Sequence, residues 1–248
     1  MPDDPPLDFE TLINELLNTD ADLTTIEERV LSLGAQLRTA AKSDPDILTS
    51  ASDFLKAATS SLNQTVRVGG RVFRKEPVPP LPQDAATTIH QVKVSLRGAK
   101  PPTWRRLELP STMTLEALHE VLQIAFDWHA LHLHEFETVC GTFGDPDHND
   151  DLSKREDESS VAIAQVAAQG TKVVYEYNFR KEWRHNLVVE KITPAEPGIA
   201  YPRCTAGRRT PPHEGSMGLE DYNSYPEEFA GFDLDALNHR LAALGNDR

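Results

Sequence analysis

Apolar residues follow two different rhythms along this chain. In the N-terminal part the rhythm is helical. Phe9, Leu12, Ile13, Leu16 and Leu17 form one stripe, Leu23, Ile26, Val30, Leu33 and Leu37 a second, and Ile47, Leu48, Ala51, Phe54, Leu55, Ala58 and Leu62 a third. Spacings of three and four residues predict three amphipathic helices. Asp22 or Thr24 is placed to cap the second, and Pro45 stands where a first helical turn tolerates proline. The expectation is an all-α helical extension over residues 1–65. Its apolar stripes cover one another or dock on a protein partner or a second copy of the chain.

The rhythm changes at Val66. The run VRVGGRVFRK has two short β-like segments around Gly69-Gly70, a hairpin signal, and Arg67, Arg71, Arg74 and Lys75 make it the local basic cluster. Prolines 77, 79, 80 and 82 then favour polyproline II, so residues 66–87 read as a basic hairpin and a semi-rigid connector. Beyond it, alternation with period two predicts strands at Ile89–Leu96, Arg105–Leu109, Leu131–Val139, Lys172–Phe179 and Trp183–Ile192. Thr114 opens a helix through Leu115, Leu118, Val121, Leu122 and Ala125, and a short helix is expected near Val161–Ala168. Asp233 opens a last helix with Leu234, Leu237, Leu241 and Leu244 on one face, and the Pro-, Gly- and Tyr-rich stretch 193–226 reads as irregular. The fold class that follows is α+β over residues 88–248, a mostly antiparallel sheet with packed helices, preceded by the all-α extension.

Charge and composition narrow the function. Acidic residues outnumber basic ones by 39 to 25, a net charge of −14. Such a chain repels phosphate backbones, so nucleic-acid association is left to the 67–75 cluster and a cationic turn at Arg180. Two cysteines, Cys140 and Cys204, exclude a disulfide scaffold and a four-cysteine zinc site. The opening residues MPDDPPLDFE lack the apolar core of a signal peptide, and no apolar run is long enough to cross a bilayer, so a cytoplasmic protein is expected. Neither GxSxG nor a P-loop nor a strand-borne GxGxxG is present.

Three patches hold the candidate chemistry. Aromatic and imidazole rings at Trp128, His132, His134, Tyr177, Trp183 and His185 are the expected ligand surface of a non-enzymatic binding module, because rigid aromatics with few polar groups make good pocket walls. The same imidazoles, His132, His134 and His185, with Glu214 or Asp221, are an alternative ligand set for a divalent transition metal. An open coordination position there would serve a metal-assisted hydrolase. Arg180, Lys181 and Arg184 are the candidate anion contacts. A calcium-like spacing at Asp145, Asp147, Asn149 and Glu156 is broken by Asp150, which stands where the loop needs glycine.

These patches occur in an order that resembles the plasmid pRiA4b ORF-3-like family over about residues 88–245. The resemblance is carried by IHQVKVSLRGAKPPTWRRLELP, TLEALHEVLQIAFDW, HLHEF at 132–136, YEYNFRKEWRH at 175–185, YPRCTAGRRTPPHE at 201–214 and FDLDALNHRL near the C-terminus. It implies a compact α+β domain, an accessory protein linked to plasmids or mobile elements, and no established reaction. Family members usually carry an aspartate, a glycine and another aspartate where this chain has Asn178, Arg180 and Lys181. They carry Pro-Pro-Glu-Asp and glycines where it has Pro211, Pro212, His213, Glu214, Gly215 and Ser216. Two carboxylates are replaced and a cationic turn appears.

Overall fold

The structure, a computed structural model, describes residues 65–148, 155–216 and 218–244. The helical extension expected over residues 1–65 lies outside the described residues but for Thr65, as do Asn149 and Asp150 of the calcium-like spacing. Short strands β1 (Thr65–Val68) and β2 (Arg71–Arg74) flank Gly69-Gly70, both at positive φ, where glycine carries no Cβ penalty. The larger compact unit comprises Val66–Gly69 and Lys75–Arg248.

That unit is built on one sheet of eight strands: β3 (Thr88–Leu96), β4 (Trp104–Pro110), β5 (His134–Thr138), β6 (Gly141–Gly144), β7 (Glu156–Asp157), β8 (Lys172–Tyr177), β9 (Trp183–Pro194) and β10 (Arg203–Arg208). The spatial order is β10-β4-β3-β9-β8-β5-β6-β7. Every pairing is antiparallel except β6 with β7, which is parallel. Helices are few: α1 (Leu115–Ala125), α2 (Ile163–Val166), α3 (Leu219–Ser224) and α4 (Leu234–Leu244).

This corrects the α+β expectation. The described chain is mostly β, with a large mixed sheet and four helices, two of them a turn or so long, and the all-α extension has no support in the described residues. Period-two reading found β3, β4 and β9 because each buries alternate residues on one face, and β8, buried on both faces, because its β-branched and aromatic residues favour a strand. It missed β10, where RCTAGR lacks alternation and pairing with β4 through a register shift between Cys204 and Ala206 makes the strand. It also missed β6 and β7, too short and too rich in glycine and acid to show a period.

The expected helix starts hold. The Thr114 side chain accepts from Ala117 N at 3.2 Å, and Asp233 accepts from Ala236 N at 2.9 Å. One sheet face carries Val92, Val94, Leu107, Leu109, Phe136, Tyr175, Tyr177, Trp183, His185 and Leu187, and helices α1 and α4 contribute Leu118, Leu122, Leu237 and Leu241 to the same core. Arg105, 2% exposed, ties this core to the edge strand without a carboxylate. Its guanidinium donates to the carbonyls of Ala125, Trp104, Arg208 and Arg209 at 2.9–3.1 Å and lies over the Phe232 ring. Burial brings its pKa down to about 10.

Candidate functional site

The rings expected to form a ligand surface are brought together, but packed against one another. Trp128 stacks on Tyr177 at 5.1 Å and meets Trp183 at 6.1 Å, while His185 stands edge-on to Phe126 at 4.4 Å and to Trp128 at 5.3 Å. All four predicted members of this group, Trp128, Tyr177, Trp183 and His185, are at most 5% exposed. No room is left between them for a guest. Neither ring nitrogen of His185 makes a well-formed hydrogen bond, nor does Trp183 Nε1. Burial holds the His185 imidazole at about 3, with only a weak pull the other way from the Trp183 and Tyr175 backbones.

His132 and His134 lie outside that cluster and line a cleft of about 890 Å³. Its inner wall is a pair of imidazoles. His119, from α1, stacks on His134, from β5, with centroids 3.5 Å apart and planes 8° from parallel. His134 Nε2 meets both oxygens of buried Glu158 at 2.8 and 3.0 Å. His119 Nδ1 lies 2.8 Å from the Tyr175 hydroxyl, and burial, with His134 adding to it, lowers the His119 pKa to about 3. The outer rim is acidic, with Glu116, Asp147 and Asp157 exposed. The lip is apolar: Leu131 is 72% exposed and Leu133 43%.

Four successive backbone N–H groups hold this lip. His129 N and Leu131 N donate to the two Glu214 oxygens at 3.0 and 3.2 Å. Ala130 N donates to Gln123 Oε1 at 2.8 Å, and His132 N to the Tyr177 hydroxyl at 3.2 Å. Tyr177 in turn donates to Glu214. Burial pushes the Glu214 carboxyl up, but these donors outweigh it and hold the group below the usual carboxylate range. Burial and the neighbouring Glu214 carboxylate both keep the Tyr177 phenol protonated.

The residues proposed as metal ligands are therefore dispersed among different tasks: His185 in the core, Glu214 on the lip backbone, His132 and His134 on the cleft. The stacked pair does not chelate as it stands either. An ion bound by both imidazoles must lie in both ring planes, and near-parallel planes 3.5 Å apart share no such point. Asp221 sits exposed in α3. Of the candidate anion contacts, Arg184 is paired with Glu176 at 2.8 Å, Arg180 is exposed, and half-buried Lys181 donates its backbone N–H to Asn178 in the turn that follows β8.

The opposite sheet face carries a second acidic group. Glu135, Glu137 and Glu176 place carboxylate oxygens within 4.8 Å of one another. Arg155 pairs with Glu135 at 3.1 Å, Arg184 with Glu176, and Gly69 N donates to Glu137 at 2.5 Å. Burial pushes Glu135 and Glu176 upward against the pull of their arginines.

Pattern reading passed over His119, Gln123, Tyr175 and Glu158 as site residues. The first two left a trace: His119 and Gln123 lie four apart on α1, a polar pair flanking an apolar stripe. Glu158 left none, being one acid among many in a polar loop.

Comparison with known proteins matches residues 88–239 to a family described as plasmid pRiA4b ORF-3-like protein. The uncharacterized protein y4hQ of Sinorhizobium fredii is 33% identical over 146 residues, covering 58% of this chain and 74% of that protein. A solved structure, the protein of unknown function MM3350 from Methanosarcina mazei Go1, is 31% identical with a TM-score of 0.53, over 57% of this chain and 81% of that one.

Proposed function

The chain belongs to the plasmid pRiA4b ORF-3-like family, and on that footing we propose that it is a non-enzymatic binding module whose ligand site is the cleft between α1, β5 and Glu158. The observation that carries this reading is a rigid lip with Leu131 72% exposed, beside a concave wall of oriented polar groups. Pockets of this kind take ligands through a few placed polar atoms within an apolar surround. The aromatic group at Trp128, Tyr177, Trp183 and His185 serves as the packed support behind it. Metal-assisted hydrolysis draws less support, because the stacked imidazoles and the engaged Glu214 leave no shared coordination point. A role in the cytoplasm is supported by two buried, unpaired thiols, Cys140 and Cys204. Among the described residues no helix is long and apolar enough to cross a membrane. The family's description supports a link to plasmids.

The test is a titration of the labelled full chain with neutral, cationic and anionic fragments, followed by nuclear magnetic resonance. Ligand binding at the cleft shifts His119, His134 and Leu131 first and returns every fragment chemically unchanged. Shifts clustered elsewhere, or none with any fragment, overturn the reading.

A further inference from the structure

We propose that the cleft recognises a short basic peptide segment, taking a main-chain carbonyl on His119 Nε2–H and a cationic side chain on its acidic rim. This rests on the cleft being the ligand site. Proton bookkeeping along one chain of hydrogen bonds gives the first half. The backbone N–H of Ala130 can only donate, so the Gln123 oxygen faces it at 2.8 Å and the Gln123 NH₂ faces the Tyr175 hydroxyl oxygen at 2.9 Å. The Tyr175 phenol is buried and stays protonated. Its own proton goes to the remaining neighbour, His119 Nδ1, at 2.8 Å. A neutral imidazole with an accepting Nδ1 carries its proton on Nε2. That nitrogen has no partner among the described residues and is not closed off from solvent. The cleft's inner wall thus presents one oriented donor.

The second half comes from the rim and the lip. Glu116, Asp147 and Asp157 are exposed at the cleft, and Arg155, which also borders it, pairs with Glu135 at 3.1 Å and lies over the Phe179 ring. The field there is negative, and Leu131 and Leu133 add apolar surface. An anionic ligand would use the donor but meet repulsion at the rim. A polyamine would satisfy the rim and the lip but offers no acceptor to His119. A lysine- or arginine-containing peptide supplies the carbonyl, the cation and a methylene stem that lies along leucine. A volume of about 890 Å³ falls within the range of ligand pockets and accommodates a few residues.

The probes are acetyl-Arg-Leu-Lys-amide, its acetyl-Glu-Leu-Glu-amide counterpart and spermidine, titrated into the full-length protein with long-range ¹⁵N spectra of the histidine rings. The expected results are the Nε2–H tautomer of His119 in the free protein, movement of that resonance on adding the basic peptide, and at least tenfold weaker binding of spermidine and of the acidic peptide. Gln123→Met, which frees the Tyr175 hydroxyl and so unlocks the tautomer, weakens the basic peptide about fivefold, the worth of one hydrogen bond. Glu116→Gln with Asp147→Asn weakens it further and flattens its salt dependence. An Nδ1–H tautomer, spermidine binding as tightly as the peptide, or preference for the acidic peptide overturns the proposal. Neutral fragments shifting the cleft while the basic peptide does not would overturn it and leave the binding-module reading standing.

Discussion

Replacing His185 by leucine isolates one buried imidazole and makes its effect on acid stability measurable. The ring is fully buried among Phe126, Trp128 and Tyr175 and has no well-formed hydrogen bond, and burial moves its pKa from the ordinary 6.5 to about 3. Below pH 6.5 the unfolded chain takes up a proton that the folded chain refuses. The stability held by the neutral ring is therefore complete above that pH and is lost as pH falls toward 3. Between pH 7 and pH 5 the loss from this one site is about 2 kcal/mol. His90 and His119, both lowered by burial, act in the same sense. Glu135 and Glu176, raised by burial, act in the opposite sense, contributing in acid and losing that contribution as pH rises. Leucine has nearly the volume of histidine and no proton to bind, so the other groups cancel when variant and wild type are compared. Urea midpoints at pH 7 and pH 5 are the assay. The variant's stability should fall between them by about 2 kcal/mol less than the wild type's. An unchanged difference would refute the reasoning, since it would mean that the folded core accepts the imidazolium.

Three further substitutions test how the site is supported. Arg105→Ala leaves the buried carbonyls of Ala125 and Arg209 without their donor, and those of Trp104 and Arg208 at the part-buried edge, and should cost about 3 kcal/mol in urea denaturation. Glu214→Ala releases the Tyr177 hydroxyl and the His129 and Leu131 amides. It should cost about 3 kcal/mol and speed hydrogen exchange at those two amides above all others. Gly207→Ala would set a Cβ 2.5 Å from the Phe232 ring, pushing that ring off Arg105 and costing about 2 kcal/mol, read as a lowered thermal midpoint.

What could be read from the chain follows from what periodicity encodes. Tyr175, Tyr177, Trp183, His185 and Leu187 alternate cleanly, so strands β8 and β9 and their shared face were legible, as were α1 and its Thr114 cap. Alternation says that rings face the same way. It does not say whether a hollow or another ring lies opposite, and here Phe126 and Trp128 fill the space. The overall class was misjudged for a related reason. Strand β10 owes its existence to β4, far earlier in the chain, and β6 and β7, although they pair with near neighbours, are too short to show a period, so no local pattern announces them. Glu214 was singled out as a metal ligand because its residue type suits one. Its actual partners, Tyr177 and the 129–131 backbone, lie 37 to 85 residues away in sequence.

The lip and the core are connected by β8. Tyr175 and Tyr177 bury their rings on the same face, and each carries its hydroxyl to a polar edge: Tyr175 to His119 and Gln123, Tyr177 to Glu214 and His132 N. The 129–132 segment has no helix or strand to satisfy its amides, yet all four donate to side chains anchored in that core. Asp127 and Ala130 both adopt left-handed backbone conformations, a strain that persists only when surrounding contacts over-determine the path. A surface leucine on a floppy loop would forfeit its binding energy to ordering, whereas one on a clamped segment keeps it. The buried tyrosines, glutamine and glutamate thus convert the packing of the aromatic core into a fixed position for Leu131 and a fixed proton on His119, the two features that a ligand entering the cleft would meet first.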